Sequence, residues 1–164
     1  MGSILIILAG AGLGYYQSHK LSLRVQFLED YIKLLSFIET EIRYSAVSPV
    51  QIIRKYTKRA SVLKPMLLAF VKHTEEQMPI AAAWQLAFER VPFDYGLTKD
   101  DVYLINEFGK GFGTSDVDGQ LSHCKLAADL MDERLTAARE EKKNKSKLYM
   151  MLGLFLGIGI VLLF

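Results

Sequence analysis

Gly109–Asp116, reading GKGFGTSD, is the stretch of this chain whose residue types come nearest to chemistry. Glycines, a lysine and hydroxyls stand just before a helix start, the ingredients of a loop whose N–H groups cradle a phosphate. Such a cradle needs a strand before it and a lysine close to the helix. Here a helical pattern precedes the glycines, and Lys110 comes too early. The stretch reads instead as an interhelical turn whose glycines permit positive φ.

The remaining candidates are weaker. His19, His73 and His123 have no partner at ligand spacing. His123 and Cys124 are adjacent, so on a helix they point to different faces, which suits neither a metal site nor a thiol–imidazole pair. Glu39, Glu41 and Arg43 form a charged cluster whose first reading is surface ion pairing and whose second is partner docking. Glu75–Glu76 and Asp100–Asp101 read as solvated or first-turn charge. No nucleophile–base set and no ligand set is left, so no enzyme, metal or cofactor is expected.

The elements that must position these residues are framed by two greasy ends. Ile4 to Tyr16 and Leu148 to Phe164 carry no charged side chain, and all 20 Lys and Arg and 18 Asp and Glu lie between them. A bilayer accommodates such runs when each is a helix that satisfies its own backbone. Expected domains are a transmembrane helix at 1–16, a helical domain at 17–147 and a second transmembrane helix at 148–164. The first run is short for a span. A cleaved signal peptide is its alternative reading, opposed by the absence of Lys or Arg ahead of it. Lys20 and Arg24 follow the first run, and Arg139, Lys142, Lys143, Lys145 and Lys147 precede the second. The positive-inside rule then places the middle domain in the cytoplasm and both termini across the membrane. Tyr15, Tyr16 and Tyr149 suit the interface. The lysine run reads as solvated surface or topology signal ahead of an anionic-lipid site, because Glu140 and Glu141 stand beside it.

Gly10 and Gly14, and again Gly153 and Gly157, form GxxxG pairs that let a neighbouring helix approach closely. The neighbour is the other span of the same chain or another subunit; the spacing leaves both open. No ionisable residue sits inside either run, which counts against a proton or ion path in this chain alone.

The middle reads all-α. From Gln17 to about Tyr44, Leu21, Val25, Leu28, Ile32, Leu35 and Ile42 fall at alternating steps of four and three, with Glu39 as the gap. Leu121, Cys124, Ala128, Met131, Leu135 and Ala138 repeat the pattern near the other end. These two long helices, each continuous with a span, are expected to lie antiparallel. Ser48–Pro49, Lys64–Pro65, Met78–Pro79 and the pair Thr98/Asp101 open four shorter helices between them. Inner faces are expected from Met66, Leu67, Phe70 and Val71, from Ala82, Trp84, Leu86, Ala87 and Phe88, and from Val102, Leu104, Ile105 and Phe108. Asp116 or Ser115 caps the returning helix. The sum is a bundle of about six helices. A formal charge of +2 leaves no broad basic footprint for nucleic acid. One cysteine excludes an internal disulfide framework.

The ordered set GYYQSHKLSLR, ETEIRY at Glu39–Tyr44, AWQLAFE, GTSD at Gly113–Asp116 with Gln120 following, and a lysine-rich helix entering GLFLG resembles the stage III sporulation protein AB family over essentially the whole chain. That resemblance implies a membrane component of the secretion-like channel complex between mother cell and forespore, in the mother-cell membrane. It also implies likeness to the cytoplasmic domain of type II secretion and type IV pilus platform proteins. The implied partners are a cytoplasmic secretion-type ATPase, the channel's other membrane proteins and membrane lipid. The expected docking surface is the end of the bundle farthest from the bilayer: Gly113, Thr114, Ser115, Asp116 and Asp118, with Glu39, Glu41 and Arg43. A membrane-anchored coiled-coil scaffold without an ATPase partner is the first alternative. A small pore-forming membrane protein is the second, and the runs lack the polar stripe a pore needs.

Overall fold

The computed structural model describes residues 2–45, 47–91 and 95–163; side chains at 2–11, 13, 150, 153, 154 and 156–163 lie outside the described set. Six α-helices and no strand occur among the described residues: α1 (Gly2–Tyr44), α2 (Pro49–Tyr56), α3 (Lys64–Glu75), α4 (Ile80–Phe88), α5 (Lys99–Gly111) and α6 (Val117–Leu163). The all-α expectation is borne out, and α1 and α6 run unbroken across the boundaries at 16/17 and 147/148.

These two long helices pack against each other along their length. Ser18 pairs with Ser146, Arg24 with Glu141 and Glu29 with Arg139, so residue numbers rise on one helix as they fall on the other. That is the antiparallel register expected. Among the described residues no helix is long and apolar enough to cross a membrane. The runs assigned to spans at 1–16 and 148–164 fall mostly on side chains outside the described set, as do Gly10, Gly153 and Gly157. Gly14 is described and buried, one turn before Ser18, which hydrogen-bonds Ser146.

Local signals explain the short helices. Ser48 and Gln51 form a capping box around Pro49, and Thr98 and Asp101 form another at the start of α5. Gln77 ends α3 in the left-handed region (φ 64°), with the Met78 N–H donating back to the His73 carbonyl. Met66, Leu67, Phe70 and Val71 are all buried, as expected. On α4 the expectation is corrected: Ala83, not Ala82, faces inward with Trp84 and Ala87, while Ala82 and Leu86 are exposed.

α1 is buried more widely than its heptad stripe. Phe27, Tyr31, Leu34 and Ile38 form a second buried row. Through it Tyr31 meets Trp84 and Phe108 edge-on, at centroid separations of 6.5 and 6.4 Å. Trp84 sits at the centre of the short helices, 5.4 Å from both Phe70 and Phe108 and 5.9 Å from Phe112. Such offset and edge-to-face arrangements suit ring quadrupoles and fix the helices' mutual orientation.

Candidate functional site

The turn that looked most like chemistry is built by three glycines doing three different jobs. α5 runs through Gly109 and ends at Gly111, among the glycines of GKGFGTSD. Gly109 lies against Trp84; a Cβ there would stand 2.1 Å from the indole Cδ1. This close approach lets the indole N–H donate to the Ile105 carbonyl at 3.0 Å. Gly111 leaves room for His123, whose Nε2 contacts the Phe108 carbonyl and whose ring stacks on Phe108. Of these three, only Gly113 uses positive φ (79°), where Pro49 and Ile80 close in.

Gln120 holds the turn from beneath. Buried on α6, it accepts from the Gly113 N–H and donates to the Gly111 carbonyl and Ser115 Oγ, each at 2.9 Å. All its amide groups are thereby engaged, as burial demands. Thr114 Oγ1 donates to the Gly111 carbonyl. Asp116, rather than Ser115, caps α6, accepting from the Gly119 N–H at 2.9 Å. Asp118 is exposed and forms no ion pair among the described residues.

The structure brings this turn to the end of α1 that carries the charged cluster. Ile42, Val47 and Pro49 line a groove of about 220 Å³ with Phe112, Gly113 and Ser115. Tyr44 and Val117 are exposed at the same end, by 80 % and 56 %. Within the charged cluster Arg43 pairs with Glu39 at 2.8 Å, and Glu41 pairs outside it with Lys55 of α2 at 2.6 Å. The Lys55 ammonium holds the Glu41 carboxyl below its usual range.

A second constellation was not expected. Asp101 is fully buried and accepts from Arg24 Nε at 2.8 Å, Arg24 Nη2 at 3.2 Å, Arg134 Nε at 2.9 Å and the Thr98 N–H at 2.9 Å. Arg24 also reaches Glu141 at 2.8 Å, and Arg134 donates to Thr98 Oγ1 at 2.8 Å. Burial pushes the Asp101 carboxyl up, but Arg24, the Thr98 N–H and Arg134 outweigh it and hold it below the usual range. Asp101 is thus first-turn charge but buried rather than solvated, and Arg24, which follows the first apolar run, is only 4 % exposed. Cys124 is buried as well, its thiol pushed up to about 12 by desolvation, so it stays protonated and inert.

The family model for stage III sporulation protein AB matches residues 1–164. The chain belongs to that family. A solved structure of stage III sporulation protein AB (SpoIIIAB) superposes with a TM-score of 0.68 at 19 % identity, covering 74 % of this chain and 98 % of that one. No curated protein matches the chain. The resemblance carried by the ordered motifs is thus borne out, and the superposition shows that the two share a fold.

In this stage III sporulation protein AB family member the buried clamp had a faint sequence signal. Arg24 lies four residues before Leu28, and Arg134 lies three after Met131 and four before Ala138. A basic residue standing among apolar stripe positions of both long helices calls for a buried acid between them. The capping box already put Asp101 at the right end of α5.

Proposed function

We propose that the chain is a non-enzymatic membrane platform of the channel complex between mother cell and forespore, receiving a cytoplasmic secretion-type ATPase at the distal end of its bundle. In this reading the two apolar runs anchor the chain as a hairpin in the mother-cell membrane, with 17–147 in the cytoplasm. The other membrane proteins of the channel are its neighbours.

The observation that carries the reading is the composition of that distal end. Exposed Tyr44 and Val117 stand beside a groove formed by Ile42, Val47 and Pro49, next to the acidic Asp116 and Asp118. Exposed aromatic and aliphatic groups beside unpaired charge suit a protein partner. Rigid coupling to the base supports it too, since α1 and α6 are continuous and the Arg24–Asp101–Arg134 clamp locks α5 between them.

Co-purification with the secretion-type ATPase tests this. Charge reversal at Asp116 and Asp118 together is expected to abolish capture of the ATPase. Capture unchanged by that double reversal, in a folded protein, overturns distal docking, whereas failure of the wild type itself to capture the ATPase leaves the scaffold without an ATPase partner.

A further inference from the structure

At the other end of the bundle, Arg139, Lys142, Lys143, Ser146 and Lys147 of α6 face Glu29 of α1 across a groove of about 750 Å³. Arg139 is held by Glu29 at 2.8 Å, so the basic residue farthest from the apolar run is already neutralised. Lys142, Lys143 and Lys147 form no ion pair among the described residues. Glu141, which the sequence places beside them, points elsewhere: it binds Arg24 and Lys145. Glu140 is exposed and does not line the groove. The objection that neighbouring acids neutralise the lysine run therefore fails for Glu141. What is left is a concave site with three uncompensated ammonium groups.

Its position says what kind of anion fits. Exposed apolar surface begins one residue beyond Lys147, at Leu148, and continues through Met151, Leu152 and Phe155. On α1, Tyr15 and Tyr16 are exposed nearby, and the Lys20 ammonium lies 5.0 Å from the centre of the Tyr16 ring. Ammonium groups bordering a greasy helix under an aromatic belt sit at the depth of lipid phosphates.

We propose that this groove binds the phosphate of an anionic lipid headgroup, a proposal that rests on the membrane hairpin of the preceding section. The lipid's chains would lie along the exposed face that starts at Leu148. The lysines together would favour an anionic over a zwitterionic headgroup, by about fivefold for each lysine near the surface.

The full chain in neutral detergent, examined by native mass spectrometry with added phosphatidylglycerol or phosphatidylcholine, tests it. The wild type is expected to retain phosphatidylglycerol at least about tenfold better. The K142Q/K143Q/K147Q variant is expected to lose that preference, while K58Q/K64Q/K99Q, with the same charge change on exposed positions elsewhere, keeps it. Equal retention of both lipids, equal loss in the control variant, or displacement by millimolar inorganic phosphate overturns the site. An alkaline carbonate wash of vesicles holding the wild type separates the two failures. A chain that stays in the membrane without lipid preference sinks only this site, whereas a chain that washes off sinks the hairpin.

Discussion

Arg24 on α1 and Asp101 on α5, 77 positions apart, meet as a two-point ion pair inside the bundle, Nε to Oδ2 at 2.8 Å and Nη2 to Oδ1 at 3.2 Å. Burying two charges is unfavourable unless their hydrogen-bonding capacity is filled. Asp101's is filled, since it also receives Arg134 and the Thr98 N–H, and Arg24 gives a third N–H, from Nη1, to Glu141. The arrangement is directional, unlike the aliphatic stripes around it. It fixes α5 against both long helices at one height, and so fixes the distal turn at the end of α5 relative to the base.

Asp101→Asn is expected to destabilise the bundle by about 3–5 kcal/mol at neutral pH, because the buried Arg24 loses its ionised partner. The same carboxylate predicts a pH dependence. Its folded value lies below the unperturbed 3.8, so its stabilisation is fully present above that value and is lost as pH falls through the lower folded one. Urea unfolding between pH 7 and 3 is expected to show a shallower acid loss in Asp101→Asn than in the wild type. Parallel pH profiles for the two proteins would contradict the clamp.

Gly109→Ala is expected to cost about 1–3 kcal/mol, or more, since the new methyl meets the fixed indole at 2.1 Å. Trp84 is the chain's single tryptophan, so its emission reports the site directly. A red-shifted spectrum in the variant is expected as the ring is pushed from its cage of Phe70, Phe108 and Phe112. Gly111→Ala meets the half-buried His123 ring at 2.6 Å, which can swing outward, so a smaller loss without the spectral shift is expected. Unaltered stability and emission in Gly109→Ala would contradict the close approach.

Periodicity, proline placement and capping pairs made the helix order legible, because each is a local signal. The heptad row Val25, Leu28 and Leu35 could be read the same way. The second row, Phe27, Tyr31, Leu34 and Ile38, could not be assigned a partner from sequence, since it packs on helices distant along the chain. Ala82 and Ala83 differ only in which side of α4 meets the core, and a short helix with apolar residues all round does not encode that. The clamp escaped for a related reason. A charged residue in a helix's first turn is ordinarily solvated, and only the arrival of α1 and α6 buries Asp101. The distal turn was legible as a turn, but Gln120, which holds it, carries no local mark of its role beyond following GTSD.

Asp116 separates folding from docking. Its carboxylate caps α6 through the Gly119 N–H, so Asp116→Ala is expected to lose about 1 kcal/mol. Asp116→Asn keeps a capping oxygen and is expected to lose only a few tenths, the share owed to charge at the helix N-terminus. Asn, unlike Ala or Lys, thus removes the charge while the turn stays in place. If Asp116 contacts the ATPase through its charge, Asn binds it more weakly at nearly wild-type thermal stability. If Asn binds as the wild type does and only Ala and Lys are weak, Asp116 serves the turn, and the electrostatic contact falls to Asp118 alone. Pull-down affinities set beside melting temperatures for the three variants decide between these, because capping loss moves both readouts and a lost charge contact moves one.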